Sequence, residues 1–273
     1  MKTLKNIATL SIFLAIFSTS FSQEFVKENE LNVTAKSFEI DNLGNIYLVF
    51  DYNVYKLSPK GDTIAVYSAK NHGTISQLDV SIPQKPLILF KESGRFLELD
   101  FTLTENTVSA MLFQKGIMRP QLLRHAFNNG GYWLYDAAKF ELINLDKNVN
   151  VTTKTGNLQL LTSLVDFKPT QLWIYNDHIY LADKKNGILI FDVFGTFIKK
   201  FHLNNFNEVM SLNDGFVFQN AEGIYYTSLM EQFKIETISL PENHIQTKFV
   251  DNKIYFLSTK SITIYSPKSG KNK

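Results

Sequence analysis

The stretch FEIDNLGNIYLVFDYNVYKLSPKGDTIAVY, residues 38–67, alternates apolar runs with turn-forming residues four times within thirty positions. Its central run, Ile46-Tyr47-Leu48-Val49-Phe50, has five counterparts further along. They are Leu87-Ile88-Leu89-Phe90, Tyr132-Trp133-Leu134-Tyr135, Ile179-Tyr180-Leu181-Ala182, Phe216-Val217-Phe218 and Ile254-Tyr255-Phe256-Leu257. Counted from Ile46 through Leu87, Tyr132, Ile179, Gly215 and Ile254, the steps are 41, 45, 47, 36 and 39 residues. The runs are strand-length, and helical periodicity is nearly absent beyond residue 22. A period of roughly 40–50 residues is that of a four-stranded unit repeated around a ring.

The turn before each run carries residues that tolerate positive φ or preset a turn: Asn42-Leu43-Gly44-Asn45, Pro83-Gln84-Lys85-Pro86, Asn128-Asn129-Gly130-Gly131, Asn176-Asp177, Asn213-Asp214-Gly215 and Asp251-Asn252. A further strand follows each run, over residues 54–57, 95–99, 140–145, 187–191, 223–227 and 261–265. The central runs are apolar on both faces, as strands sandwiched between neighbouring sheets must be. The first unit continues into an outer strand at residues 63–67, whereas the sixth stops after Tyr265-Ser266-Pro267-Lys268-Ser269-Gly270 without one. Residues 25–34 (FVKENELNVT) can supply it, since closing the ring removes the exposed edge. The expected fold is therefore all-β: a six-bladed β-propeller of four-stranded antiparallel blades, closed by an N-terminal strand in the last blade. Residues 112–127 and 157–166 break the period and read as lengthened links between blades. Leu158, Leu161, Leu164 and Val165 fit either a short amphipathic helix or a loop packed on the rim.

Residues 1–22 read as a secretory signal peptide. Lys2 and Lys5 precede an apolar segment at residues 7–17, and Ser20-Phe21-Ser22 supplies small residues before Gln23. The apolar segment is too short for a membrane span, which needs roughly 20 residues. Residues 23–273 then form a single propeller domain. The expected destination is the periplasm or the extracellular space. With no cysteine, the chain has no disulfide framework and no cleavage-site lipid anchor. Of 28 basic and 26 acidic side chains, removal of Lys2 and Lys5 leaves 26 of each. A neutral mature chain offers no electrostatic argument for nucleic acid or an anionic membrane.

Two stretches, DNLGNIYLVFDYNVYKLSPKGDTI (41–64) and IYLADKKNGILIFDVFGTFIKKF (179–201), resemble NHL repeats. In the second the matching positions are Ile179, Tyr180, Leu181, Asp183, Asn186, Ile188, Phe191, Asp192 and Gly195. Lys185-Asn186-Gly187-Ile188 lacks the basic residue that NHL blades often place before that isoleucine. The resemblance covers under a quarter of the chain. It implies the six-bladed fold and two functional classes: protein- or RNA-binding modules, and lactonase-like hydrolases with a metal on the axis.

No nucleophile elbow, Walker loop, dinucleotide fingerprint or zincin motif occurs. Asp41, Asp51, Asp136, Asp183, Asp192 and Asp251 sit at strand ends. There they can either gather around Ca²⁺ in a propeller channel, as in the lactonase-like relatives, or accept backbone hydrogen bonds in their own turns. His72, His202 and His244 lie in or near links between blades, with no zinc-ligand spacing. Tyr47, Trp133, Tyr180 and Tyr255 share one register and read as core, as does Trp173 on an innermost strand. The preferred reading is a non-enzymatic, monomeric binding module for an envelope or extracellular protein, with no cofactor. The alternative is a metal-dependent hydrolase whose site lies on the axis. Minimal turns leave little to recognise with on one side of the ring. The expected docking face is therefore the side carrying the second-to-third-strand and inter-blade loops. Tyr52, Arg119, Tyr135, Asp136 and Asp183 are its candidate residues.

Overall fold

The computed structural model describes residues 25–126, 130–164, 166–212, 215–228, 232–234 and 238–268. The expected signal peptide, Val165 and the turn residues Asn128, Asn129, Asn213 and Asp214 lie outside them. The described chain forms six four-stranded antiparallel sheets. Blade 1 comprises Ser37–Ile40, Ile46–Val49, Asn53–Leu57 and Thr63–Ser68. Blade 2 comprises Gln77–Asp79, Leu87–Phe90, Arg95–Leu99 and Glu105–Met111. Blade 3 comprises Pro120–Ala126, Gly131–Asp136, Glu141–Leu145 and Val151–Lys154. Blade 4 comprises Gln171–Tyr175, His178–Asp183, Gly187–Asp192 and Phe197–Phe201. Blade 5 comprises Glu208–Leu212, Gly215–Asn220, Gly223–Thr227 and Gln232–Lys234. Blade 6 comprises His244–Val250, Lys253–Ser258 and Ile262–Pro267. Its fourth strand is Phe25–Leu31, antiparallel to the third with Phe25 opposite Pro267 and Leu31 opposite Ile262. The ring is closed as the sequence predicts.

Period-2 alternation of the second strands explains why they are apolar on both faces. Ile46 and Leu48 pack toward blade 6, Tyr47 and Val49 toward blade 2. Tyr132 and Leu134 pack toward blade 2, Trp133 and Tyr135 toward blade 4. One apolar cluster fills each of the six junctions. Tyr47, Trp133, Tyr180 and Tyr255 all face the following blade, so their shared register is a packing register.

The hairpins between third and fourth strands repeat one device. Ser58, Asp100, Asp146 and Asp192 each accept, through a side-chain oxygen, the N–H groups two and four residues on. The third residue after each has positive φ: Gly61, Leu103, Val149 and Gly195. At Gly195 a Cβ would also meet the Trp133 ring at 2.9 Å, so glycine is required there.

Two expectations need correction. Residues 112–127 are not wholly a link, because Pro120–Ala126 is the innermost strand of blade 3. Its Arg124 faces the ring axis, which gives the segment the polar look of a loop. The second insertion does contain a helix, Leu158–Thr162, capped by Asn157. Leu158 is buried, but Leu161 lies 51% exposed rather than on the apolar face. No described helix is long and apolar enough to cross a membrane.

Candidate functional site

Two regions carry chemistry: the channel along the ring axis and the face bearing the inter-blade links. The innermost strands enclose a channel with a cavity volume of about 640 Å³. Alternate residues of these strands form two layers. Ser37, Gln77, Leu122, Gln171, Glu208 and Gln246 lie nearer the inter-blade face. Glu39, Asp79, Arg124, Trp173, Met210 and Lys248 form the next layer, and four of the six stand opposite an aromatic of the second strand: Glu39 with Tyr47, Arg124 with Trp133, Trp173 with Tyr180 and Lys248 with Tyr255.

Each glutamine of the first layer clips its blade to the next. Gln77 Nε2 donates to Leu123 O (2.9 Å), and its Oε1 accepts from Leu123 N (3.0 Å). Gln171 does the same with Val209 (3.4 and 3.2 Å), and Gln246 Oε1 accepts from Phe38 N (2.9 Å). Asp79 is fully buried and accepts from Arg124 Nη1, His125 N (3.0 Å), Ser81 N (2.9 Å) and Ser81 Oγ (3.1 Å). Burial alone would push its carboxyl up. The positive charges of Arg124 and His125 and the amides of Ser81 and His125 overcome this and hold it below the usual value. Lys248 Nζ lies 2.9 Å from Glu39. Glu208 accepts from Gln171 Nε2 (2.5 Å) and is pushed up by burial and by the charge of Glu39.

This donor set does not fit a hard cation. Asp79 and Glu39 are already paired with Arg124 and Lys248, whose charges would repel the ion. Among the described residues no group of three His, Cys, Asp or Glu side chains is arranged to hold a metal. The strand-end aspartates do not converge on the axis. Asp41, Asp136, Asp183 and Asp192 accept backbone N–H groups locally, and Asp51 pairs with Lys36 at 2.5 Å. Nor do the histidines meet. His72 bridges Glu105 (2.9 Å) and Arg95 (3.1 Å), while His244 contacts Thr247 (2.8 Å).

On the inter-blade face, Tyr52 is 46% exposed and Arg119 is exposed. Tyr135, Asp136 and Asp183 are instead buried. Asp136 accepts from Met118 N (3.3 Å), Arg119 N (2.9 Å) and Ala138 N (3.0 Å). Asp183 accepts from the N–H groups of Lys168, Lys185 (2.8 Å) and Asn186 (2.9 Å). Both shape the loops without reaching a partner themselves. The Tyr135 hydroxyl is enclosed and has no hydrogen-bond partner among the described residues. Burial pushes its pKa up, and the charges of Arg119, Asp136 and Asp183 all act on it. Four of the five candidates thus gather near the junction of blades 3 and 4, with Tyr52 apart on blade 1.

Over blade 3 the two insertions are each tied to the loop at residues 137–140. Lys139 Nζ donates to Gly116 O (3.1 Å), Arg119 Nη2 to Ala137 O (2.7 Å), and Leu158 N to Phe140 O (2.8 Å). Phe113, Met118 (66%), Leu160 (83%) and Leu161 stand exposed on them. Sequence reasoning missed both this ridge and the channel layers. The ridge is visible in sequence only as apolar residues within insertions. The channel is visible as a glutamine followed two positions later by Asp, Trp or Lys: Gln77, Gln171 and Gln246.

The fold and these sites define a six-bladed β-propeller. No protein-family model matches the sequence, and no curated protein matches it either. Among solved structures, virginiamycin B lyase from Staphylococcus aureus is similar in fold, with a TM-score of 0.63 and 11% identity over 90% of this chain and 100% of that one. The Neurospora crassa Pan2 WD40 domain gives 0.58 and 10% over 91% and 97%. BBS1N, solved in complex with ARL6DN, gives 0.56 and 12% over 84% and 76%. At these identities the likeness is one of fold, which a lyase and a domain solved with a protein partner share alike.

Proposed function

We propose that this chain is an exported, NHL-like propeller that binds a protein of the cell envelope or extracellular space through its inter-blade face. The observation that carries the reading is the ridge over blade 3. Two insertions tied to one blade loop hold Phe113, Met118, Leu160 and Leu161 out to solvent. Loops on a rigid ring are where propellers place recognition, and grouped apolar side chains mark a contact surface more than scattered ones do. Arg119 lies at the foot of this ridge, and Tyr52 extends the same face toward blade 1. That BBS1N was solved with ARL6DN supports the reading by analogy of fold alone.

The test uses M118E and L160E on the ridge, with F194E on the opposite face as control. A partner crosslinked in the native envelope is purified and its affinity measured for each variant. Each ridge variant should weaken binding at least about tenfold, with F194E unchanged and all three folded by circular dichroism. Loss of binding only in F194E would place the docking side on the short-turn face and overturn the reading.

A further inference from the structure

The charged groups of the channel are unequally committed. Asp79 is saturated by four donors, and Glu39 and Lys248 are paired with each other. The groups left open toward the lumen come from three consecutive blades. On blade 3, Arg124 donates Nε to Leu172 O (2.8 Å) and Nη1 to Asp79, and no described acceptor meets its Nη2. On blade 4, the Trp173 side chain lines the wall. Stacking on Tyr180 (ring centroids 5.1 Å, 8° between planes) and a bond from Nε1 to Ser211 Oγ (2.9 Å) hold it in place. On blade 5, Glu208 meets the amides of Gln171 and Gln246 but has no cation within ion-pair distance among the described residues. Cation, aromatic and carboxylate therefore follow one another around half of the lumen.

This order selects a ligand class. A bare anion drawn to Arg124 meets Glu39 and Glu208, and both act electrostatically on that guanidinium. A bare cation drawn to Glu208 meets Lys248 and Arg124. A molecule with both charges is repelled by neither, provided an apolar segment separates them as Trp173 separates the two poles. The cavity of about 640 Å³ holds several residues of peptide and is of ordinary ligand-site size. We propose that the axial channel binds a short peptide with both termini free, carboxylate on Arg124 Nη2, ammonium on Glu208 and side chains against Trp173. The planar guanidinium suits a carboxylate, and the aromatic face adds contact area beside the ammonium.

The experiment is calorimetry of the full chain with leucyl-leucine, its N-acetyl form and its C-terminal amide. In a Trp133→Phe background, Trp173 is the remaining tryptophan and its fluorescence reports the same events. The free dipeptide should bind, and capping either end should weaken binding at least about tenfold. Glu208→Gln should weaken the free dipeptide by a similar factor and leave the N-acetyl form unchanged, because only the free ammonium uses that carboxylate. Three results would each overturn the proposal. One is either capped form binding as tightly as the free dipeptide. Another is no binding by any form at about 10 mM, where even a weak site reports. The third is an unchanged affinity in Glu208→Gln.

Discussion

Replacing Asp79 by Ala tests whether the channel wall is held by charge. Asp79 is buried on blade 2, and two of its four donors, Arg124 Nη1 and His125 N, belong to blade 3. Its removal leaves a guanidinium and two backbone amides short of an acceptor. Breaking a buried pair from one side typically costs 3–5 kcal/mol. Arg124 retains its bond to Leu172 O and its side chain is 22% exposed to the lumen, so the lower end applies, about 3 kcal/mol. For a chain of this size that is a fall in melting temperature of about 6–12 °C. The double variant Asp79→Ala with Arg124→Met should be more stable than Asp79→Ala alone, because no buried charge is then stranded. The folded pKa of Asp79 lies below its ordinary value of 3.8. Its contribution is therefore full above that value and lost as pH falls through the folded pKa, and the gap between wild type and variant should narrow in strong acid. Thermal melts followed by circular dichroism measure all three quantities. A loss under about 1 kcal/mol at neutral pH, or a double variant less stable than the single, would refute the reasoning, since ordinary hydrogen bonds alone would account for the smaller loss.

Deleting residues 25–31 removes the outer strand of blade 6 and with it the Lys253–Glu28 pair (2.8 Å) and the bond from Ser261 Oγ to Glu30 (2.8 Å); the whole domain should lose cooperativity in urea, and an unchanged transition would argue against ring closure as a stabilising element. Tyr135→Phe deletes a buried hydroxyl without a described partner, so stability should hold or rise by about 1 kcal/mol, whereas a fall of that size would show that the hydroxyl is satisfied. Glu208 has a folded pKa raised above its ordinary 4.5, chiefly by burial, so wild-type stability is lost as pH rises from that value through the folded pKa. Glu208→Gln should match wild type near pH 4 and exceed it near pH 8, and melts at the two pH values decide the point.

The fold was legible because each second strand must be apolar on both faces and follow a turn whose residues accept positive φ or preset the bend. Leu87-Ile88-Leu89-Phe90 follows a turn preset by Pro83 and Pro86, whereas Ile46 and Tyr132 follow Gly44 and Gly130 at positive φ. Asn176, Asp177, Asp251 and Asn252 all show the positive φ that their residue types promise. The innermost strands were harder to see. Glu39, Asp79, Arg124, Glu208 and Lys248 put charge where a strand pattern expects apolar residues, so Pro120–Ala126 read as part of a loop. The inter-blade loops were legible as loops, but the burial of the residues beside them was not. Asp136 and Asp183 adjoin loops, but sequence cannot tell a carboxylate aimed at solvent from one turned inward onto three backbone N–H groups. Tyr135 is buried for the same reason as Trp133: both project from blade 3 toward blade 4.

The glutamine clips connect these observations. An innermost strand pairs on one side only, and its other edge presents bare N–H and C=O groups to the channel. Gln77, Gln171 and Gln246 stand on blades 2, 4 and 6, and each bonds backbone of the following odd-numbered blade: Leu123, Val209 and Phe38. Two residues beyond each glutamine lies a second tie across the same junction or close beside it: Asp79 to Arg124, Trp173 to Ser211, Lys248 to Glu39. Alternate junctions are thus bound twice at the axis by side chains, while the strand edges stay apart and leave the lumen open. A ring fastened only by backbone approach would close that space. A ring fastened by amides and ion pairs keeps a cavity of about 640 Å³ with fixed charges in its wall. Preorganised walls of this kind let a small polar ligand bind without first ordering the site.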